Sequence, residues 1–222
     1  MKKGTIFFDY DGTLHDSMRV YGPAFRKGVA WLEKEGYLAH QEYDDEWISH
    51  WLGWTTSDMR QTFTPQLPEE VWRNAAHIVG AEMDRLSSSG QGRLFEGIPE
   101  ALTQLKQAGY TLAFLSNCRH AYRDAHRQFY NLDEWFDVYH CAQDFPGLAK
   151  WEIYQRVITE ETHPGPHVMV GDRFHDIEVA SKAHIASIGC AYGFGEADEL
   201  NAASIIIEAP SELPGAVEEV LA

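Results

Sequence analysis

Six short apolar runs rich in β-branched and aromatic residues punctuate the chain: TIFFD at 5–9, TLAFLS at 111–116, DVYHC at 137–141, HVMVGD at 167–172, ASIGC at 186–190 and SIIIE at 204–208. Each has the length of a strand. The near-continuous apolar character of several of them marks strands buried on both faces rather than strands with a wet side. The first five are each followed by a segment that reads as helix or by a longer excursion. Strands alternating with helices predict a parallel sheet, and hence a doubly wound α/β fold.

The spacing breaks once. About a hundred residues separate the first run from the second, far more than a crossover needs. PEALTQLKQAGY at 99–110 is one ordinary amphipathic helix that opens on a proline and closes at Gly109. The remainder, from Met18 to Gly92, has helical periodicity at 23–36, 44–53, 56–63 and 68–88 and no strand-like alternation. SSSGQG at 87–92 reads as an exit linker. The expected organisation is a sheet domain of residues 1–17 and 93–222, with an all-helical insert of residues 18–92 just behind the first strand.

Composition narrows the function. A formal net charge of -16, with no run of Lys and Arg, excludes a surface that tracks a nucleic-acid backbone. No apolar run approaches the ~20 residues of a membrane-spanning helix, and the apolar segment near the start is too short for a signal peptide. Cys118, Cys141 and Cys190 form no metal-ligand spacing, and an odd count without an export signal argues against a disulfide framework. A cytoplasmic protein with reduced cysteines is expected, and no feature fixes its oligomeric state.

The first run ends in two aspartates one residue apart, Asp9 and Asp11, followed by Gly12 and Thr13. Like charges this close destabilise one another unless a cation lies between them. In an open parallel sheet, ligands bind beyond the carboxyl ends of the strands. That edge would also receive Ser116 and Asn117 from the second strand, Asp172 and Asp176 from the fourth, and Lys150 from the loop after the third. Oxygen-only ligands of this kind suit Mg²⁺, held by Asp9, the backbone carbonyl of Asp11, and Asp172. An ionised Asp9 beside that ion can attack phosphorus, and Asp11 can pass a proton to and from oxygen. Ser116, Asn117 and Lys150 would hold the phosphoryl oxygens.

At these residues the sequence resembles the haloacid dehalogenase superfamily of phosphatases. The match comprises Asp-x-Asp-Gly-Thr-Leu at Asp9 to Leu14 with Asp16-Ser17 after it, Ser116-Asn117, Lys150, and Gly-Asp-x-x-x-Asp at Gly171 to Asp176, in the family's order. The resemblance implies a Rossmann-like sheet with a helical C1-type cap. It also implies a magnesium-dependent phosphatase of a small phosphorylated metabolite, similar in layout to phosphoglycolate phosphatases, working through an aspartyl-phosphate on Asp9 with Asp11 as acid and base. A phosphomutase of the same superfamily is the alternative. The family's dehalogenases lack an acid at the position of Asp11, which sets that branch aside.

The implied site is Asp9, Asp11, Ser116 and Lys150 for catalysis, Asp9, Asp11, Asp172 and Asp176 for metal, and Gly12, Thr13, Asn117, Trp54 and Thr55 for substrate. Three alternatives stay open. Trp151 follows Lys150 where many cap-bearing members have proline, which leaves Lys182 as a fallback. Asp176 serves either the metal or the placement of Lys150. Trp54, after Gly53 in the turn GWTTS, either lines the site or belongs to the core of the cap.

Overall fold

The computed structural model describes residues 2–159 and 161–221. Among these residues the strands are β1 (Thr5–Phe8), β2 (Thr111–Ser116), β3 (Val138–Cys141), β4 (His167–Gly171), β5 (Ala186–Cys190) and β6 (Ile205–Ile207). Between β1 and β2 run helices α1 (Met18–Lys34), α2 (Asp45–Ser49), α3 (Thr56–Phe63), α4 (Glu69–Ser88) and α5 (Ile98–Gln107). Later come α6 (His120–Phe129), α7 (Lys150–Val157), α8 (Phe174–Ala183) and α9 (Leu213–Val220).

The chain divides into two compact units, residues 1–16 with 94–222 and residues 17–93. The first is a parallel sheet in the order β3-β2-β1-β4-β5-β6. Strand order reverses at β1: the chain moves outward through β2 and β3, then returns to pair β4 on the other side of β1. Phe8 lies opposite Phe114 on one side and Val170 on the other. Alternate side chains point to opposite faces of a strand. Phe7, Ala113, Leu115 and Met169 pack on one face with Ile153 and Tyr154 of α7 and Val179 and Ala180 of α8. Their neighbours Ile6, Phe8, Leu112, Phe114, Val168 and Val170 are buried as well. Both faces are therefore dry, which is why these strands read as unbroken apolar runs.

The second unit is helical. Leu32 of α1 packs with Val71, Trp72 and Ala75 of α4 and with Leu67. Gly28 lets α1 approach α4 closely, since a Cβ there would collide with Val79. Trp72 Nε1 donates to the carbonyl of Thr56 at 3.0 Å.

Two helix boundaries differ from the sequence expectation, and one helix has no counterpart in it. Helix α1 starts at Met18, five residues before Pro23, and carries that proline inside it on an exposed position. Proline costs the helix one backbone hydrogen bond, which solvent can replace there. Helix α2 stops at Ser49, although Trp51 and Leu52 continue the apolar pattern, because both are buried in the turn that follows. Helix α9 lies beyond the last apolar run, where no element is expected from the sequence. No helix is long and apolar enough to cross a membrane.

Candidate active site

Asp9 and Asp172 each follow directly on a central strand, β1 and β4, at the point where strand order reverses. The Asp9 backbone N–H still donates to Val170 O at 2.9 Å, so the ladder carries the first carboxylate to the sheet edge. There the chain turns sharply: Leu14 and His15 N–H both donate to Tyr10 O, at 2.9 and 3.0 Å. Gly12 adopts φ +82°, and a Cβ at this position would collide with the Asp172 carboxylate. Glycine thus meets both demands of the position, left-handed backbone and close approach.

Asp172 is held from several directions. Thr13 Oγ1 donates to its Oδ1 at 3.2 Å and the Phe194 N–H to its Oδ2 at 2.8 Å. Asp176, in the first turn of α8, accepts from the Arg173 N–H at 3.1 Å with Oδ2 and caps its own helix. Its Oδ1 accepts from Lys150 Nζ at 2.7 Å. Lys150 opens α7, a helix start supported by the Glu152 carboxylate, which accepts from the Ala149 N–H at 2.8 Å. The same ammonium lies 2.8 Å from Asp9 Oδ1, and all three side chains are at most 3% exposed.

One ammonium among three buried carboxylates leaves the site short of positive charge. Burial, with Asp176 and Asp172 adding to it, pushes Asp9 well above the usual carboxylate range against the pull of Lys150. Burial and then Asp176 push Asp172 up to about 7. Burial lowers Lys150, but the Asp176 and Asp9 carboxylates outweigh it and hold the ammonium above the ordinary lysine range. Carboxylate oxygens of Asp9, Asp172 and Asp176 all lie within 4.8 Å of one another. An all-oxygen set deficient in positive charge fits a hard divalent cation. His120, Cys141 and Asp144 also gather within that distance beyond β3. Arg123 Nη1, which donates to Cys141 Sγ at 3.3 Å, already supplies a cation there.

Ser116 is buried at the end of β2 and Asn117 half-buried just beyond it, both on the same edge as Asp9. The two lysines lie apart: Lys182 is exposed and stands over the Trp151 ring at 5.5 Å, while Lys150 is in the cluster. Asp176 Oδ1 accepts from Lys150, and its carboxylate also lies with those of Asp9 and Asp172. Asp11 is 16% exposed at its side chain and accepts from the Tyr122 hydroxyl at 2.7 Å. His15 is fully buried and stacked on Tyr10 at 5.1 Å. The Thr13 side chain is buried and its hydroxyl engaged by Asp172. Trp54 and Thr55 belong to the helical unit. Thr55 caps α3 by accepting from the Asp58 N–H at 3.2 Å, and the Trp54 ring packs 5.4 Å from that of Trp51.

Sequence reasoning missed the segment after β5. A Cβ at Gly193 would collide with Asp172, and Tyr192 donates to Thr13 O at 2.9 Å. The Gly-Phe-Gly triplet at 193–195, just past a strand end, was the available signal. Arg173 was missed too: it is buried and pairs with Glu199 through Nε (2.9 Å) and Nη2 (3.0 Å), which anchors the turn between the two carboxylates.

Comparison with known proteins adds three findings. A family model described as haloacid dehalogenase-like hydrolase matches residues 6–190. A 5'-nucleotidase of Pseudomonas aeruginosa is 29% identical over 202 residues, covering 89% of this chain and 86% of its own, and a phosphoglycolate phosphatase of Synechococcus elongatus is 25% identical, covering 97% and 98%. The solved structure of a predicted phosphatase from Clostridium acetobutylicum superposes with a TM-score of 0.82 at 22% identity, covering 97% of this chain and 98% of its own.

Proposed function

Because the chain belongs to the haloacid dehalogenase-like hydrolases and is a phosphoric monoester hydrolase of that family, we propose that it is a magnesium-dependent phosphatase of a small phosphorylated metabolite, acting through an aspartyl-phosphate on Asp9. The observation that carries this reading is the buried group of Asp9, Asp172 and Asp176 around a single ammonium at the strand-order reversal. Relatives named for two different phosphate esters support the reaction class and leave the substrate open.

Asp9, Asp172 and Asp176 would hold the ion, with the backbone carbonyl of Asp11. When bound, Mg²⁺ supplies the missing positive charge and draws phosphoryl oxygens toward the cluster. Asp9 attacks phosphorus, the bond to the leaving oxygen breaks, and Asp11 gives that oxygen its proton. In the second step Asp11 takes a proton from water, whose oxygen attacks the phosphorus and releases phosphate and the free Asp9 carboxylate. Lys150, Ser116 and Asn117 hold the phosphoryl oxygens as charge spreads over them. Gly12 and Thr13 form the turn beneath the phosphate. Selection of the leaving group is assigned to Trp54 and Thr55. A cytoplasmic location belongs to the same reading and agrees with three free cysteines.

The test is a panel of small phosphomonoesters assayed for phosphate release in chelator, in Mg²⁺ and in excess Ca²⁺. Release in Mg²⁺, none in chelator and inhibition by the larger, more loosely coordinating Ca²⁺ is the expected pattern. Full activity in chelator overturns the metal assignment, and phosphate transfer to a second hydroxyl without release overturns the phosphatase.

A further inference from the structure

Asp11 stands apart from the other acids of the site. Asp9 and Asp176 are sealed against Lys150, whereas Asp11 is on the turn beyond β1, partly exposed, and touches a different set of side chains. Its Oδ1 accepts from the Tyr122 hydroxyl at 2.7 Å. Tyr122 lies in the first turn of α6, only 3% exposed, six residues after Ser116. A phenol has one proton to give. With that proton on Asp11, the contact of 3.3 Å between the Tyr122 oxygen and His15 Nδ1 is donated by the histidine.

The Tyr122 ring has little freedom. It packs against His126 with centroids 4.1 Å apart, and His126 lies 4.5 Å from His15. Tyr10 stacks on His15 with only 6° between the ring planes, and its hydroxyl meets His126 Nδ1 at 2.7 Å. Tyr10, His15 and His126 are themselves almost wholly buried. A rigid, buried donor aimed at a less buried acid is a positioning device: the surrounding rings fix the hydroxyl, and the hydroxyl fixes the carboxyl group.

We infer that Tyr122 is the positioning residue for Asp11, its caged hydroxyl holding Asp11 Oδ1 so that one carboxyl orientation serves both proton transfers. The inference rests on the reading of Asp11 as acid and base. Those transfers go to two different oxygens, first the leaving group and then water, with the phosphoenzyme between them. Without the hydroxyl, Asp11 Oδ1 loses the 2.7 Å contact that orients it, and the carboxyl group meets the departing oxygen in fewer encounters. General acid catalysis that depends on geometry is lost when the geometry is loosened.

The experiment compares Tyr122→Phe, Tyr10→Phe and Asp11→Ala on two substrates, p-nitrophenyl phosphate and glycerol 2-phosphate, with Mg²⁺ present. For a phosphoenzyme mechanism kcat/KM reports the step in which the leaving group departs. Nitrophenolate leaves without much help, but an alkoxide needs the proton. Tyr122→Phe should lower kcat/KM for glycerol 2-phosphate about 10–100-fold while changing it less than about threefold for the nitrophenyl ester. KM should stay near the parent value in both cases. Tyr10→Phe removes a hydroxyl from the same buried cage while leaving the Tyr122–Asp11 contact in place, and should shift the ratio between the two esters less than Tyr122→Phe does. Asp11→Ala should show the same contrast as Tyr122→Phe in stronger form. Equal losses on both esters in Tyr122→Phe, or an unchanged ratio where Asp11→Ala does shift it, overturns the positioning role alone. An unchanged ratio in Asp11→Ala overturns the acid–base reading beneath it.

Discussion

Replacing Lys150 by methionine tests the charge balance of the whole site. Methionine keeps the apolar stem of the side chain and removes the ammonium that lies 2.8 Å from Asp9 Oδ1 and 2.7 Å from Asp176 Oδ1. Three buried carboxylates then share one site with no cation. Removing one partner of a buried ion pair typically costs about 3–5 kcal/mol. The cluster has a way to relieve part of that cost, because Asp9 and Asp172 already have carboxyl groups displaced upward, Asp172 to about 7. Loss of Lys150, which pulls both down, displaces them further. A carboxyl raised in the folded state binds protons that the unfolded chain releases, so its contribution is present at low pH and lost as pH rises through the folded value. One extra proton retained is worth about 1.4 kcal/mol per pH unit. The destabilisation should therefore be about 3–5 kcal/mol at pH 8 and about 2–3 kcal/mol smaller at pH 6. The assay is urea unfolding of the parent and the variant at both pH values, each with chelator and with Mg²⁺. Added Mg²⁺ should restore more stability to the variant than to the parent, since it replaces a missing cation. A loss below about 1 kcal/mol, or one that is the same at pH 6 and pH 8, refutes the reasoning.

Three further outcomes follow from the same geometry. Asp9→Asn should fold and bind Mg²⁺ weakly but show no turnover, and acid quenching with a ³²P-labelled substrate should trap no labelled protein, whereas the parent traps it; retained turnover in the variant removes Asp9 from the nucleophile's role. Gly12→Ala should lower stability by about 1–3 kcal/mol, since φ +82° and the Asp172 carboxylate both oppose a Cβ; a variant with parent-like melting temperature and Mg²⁺ affinity by calorimetry contradicts the close approach. His126 is held neutral by burial, down to about 3, so its contribution to stability is complete above about 6.5 and is lost progressively as pH falls toward 3. His126→Phe should accordingly flatten the acid limb of the stability profile between pH 6.5 and pH 4 by up to about 1.4 kcal/mol per unit, and an unaltered slope rules that histidine out as its source.

Much of this protein is legible in its sequence because parallel strands announce themselves. A strand with both faces dry is apolar through its middle, as IFF, LAFL and VMV are within β1, β2 and β4, with polar residues only at strand ends. The carboxylates at those strand ends are equally visible, because strand ends in such a sheet share one edge whatever the loops do. The helical insert shows as a missing strand signal over a long interval. Helix ends are less visible: Pro23 looks like a start and is inside α1, and Trp51 and Leu52 look like helix and are buried in a turn.

What the tertiary structure alone decided are the contacts between residues far apart in the chain. The sequence favours Lys150 by its place after the third strand, with Lys182 as a fallback, but does not show which ammonium lies between Asp9 and Asp176. Packing of α7 against α8 buries the first and leaves the second on an aromatic face in solvent. The Gly193 loop closing over Asp172, and Tyr122 reaching Asp11 across 111 positions, leave no periodic trace, because a single long-range hydrogen bond constrains one residue on each side. Sequence pattern records what repeats along an element, such as the burial of a face or the end of a strand. Which side chain completes a site is set by where elements meet, and that is fixed only when the chain has folded.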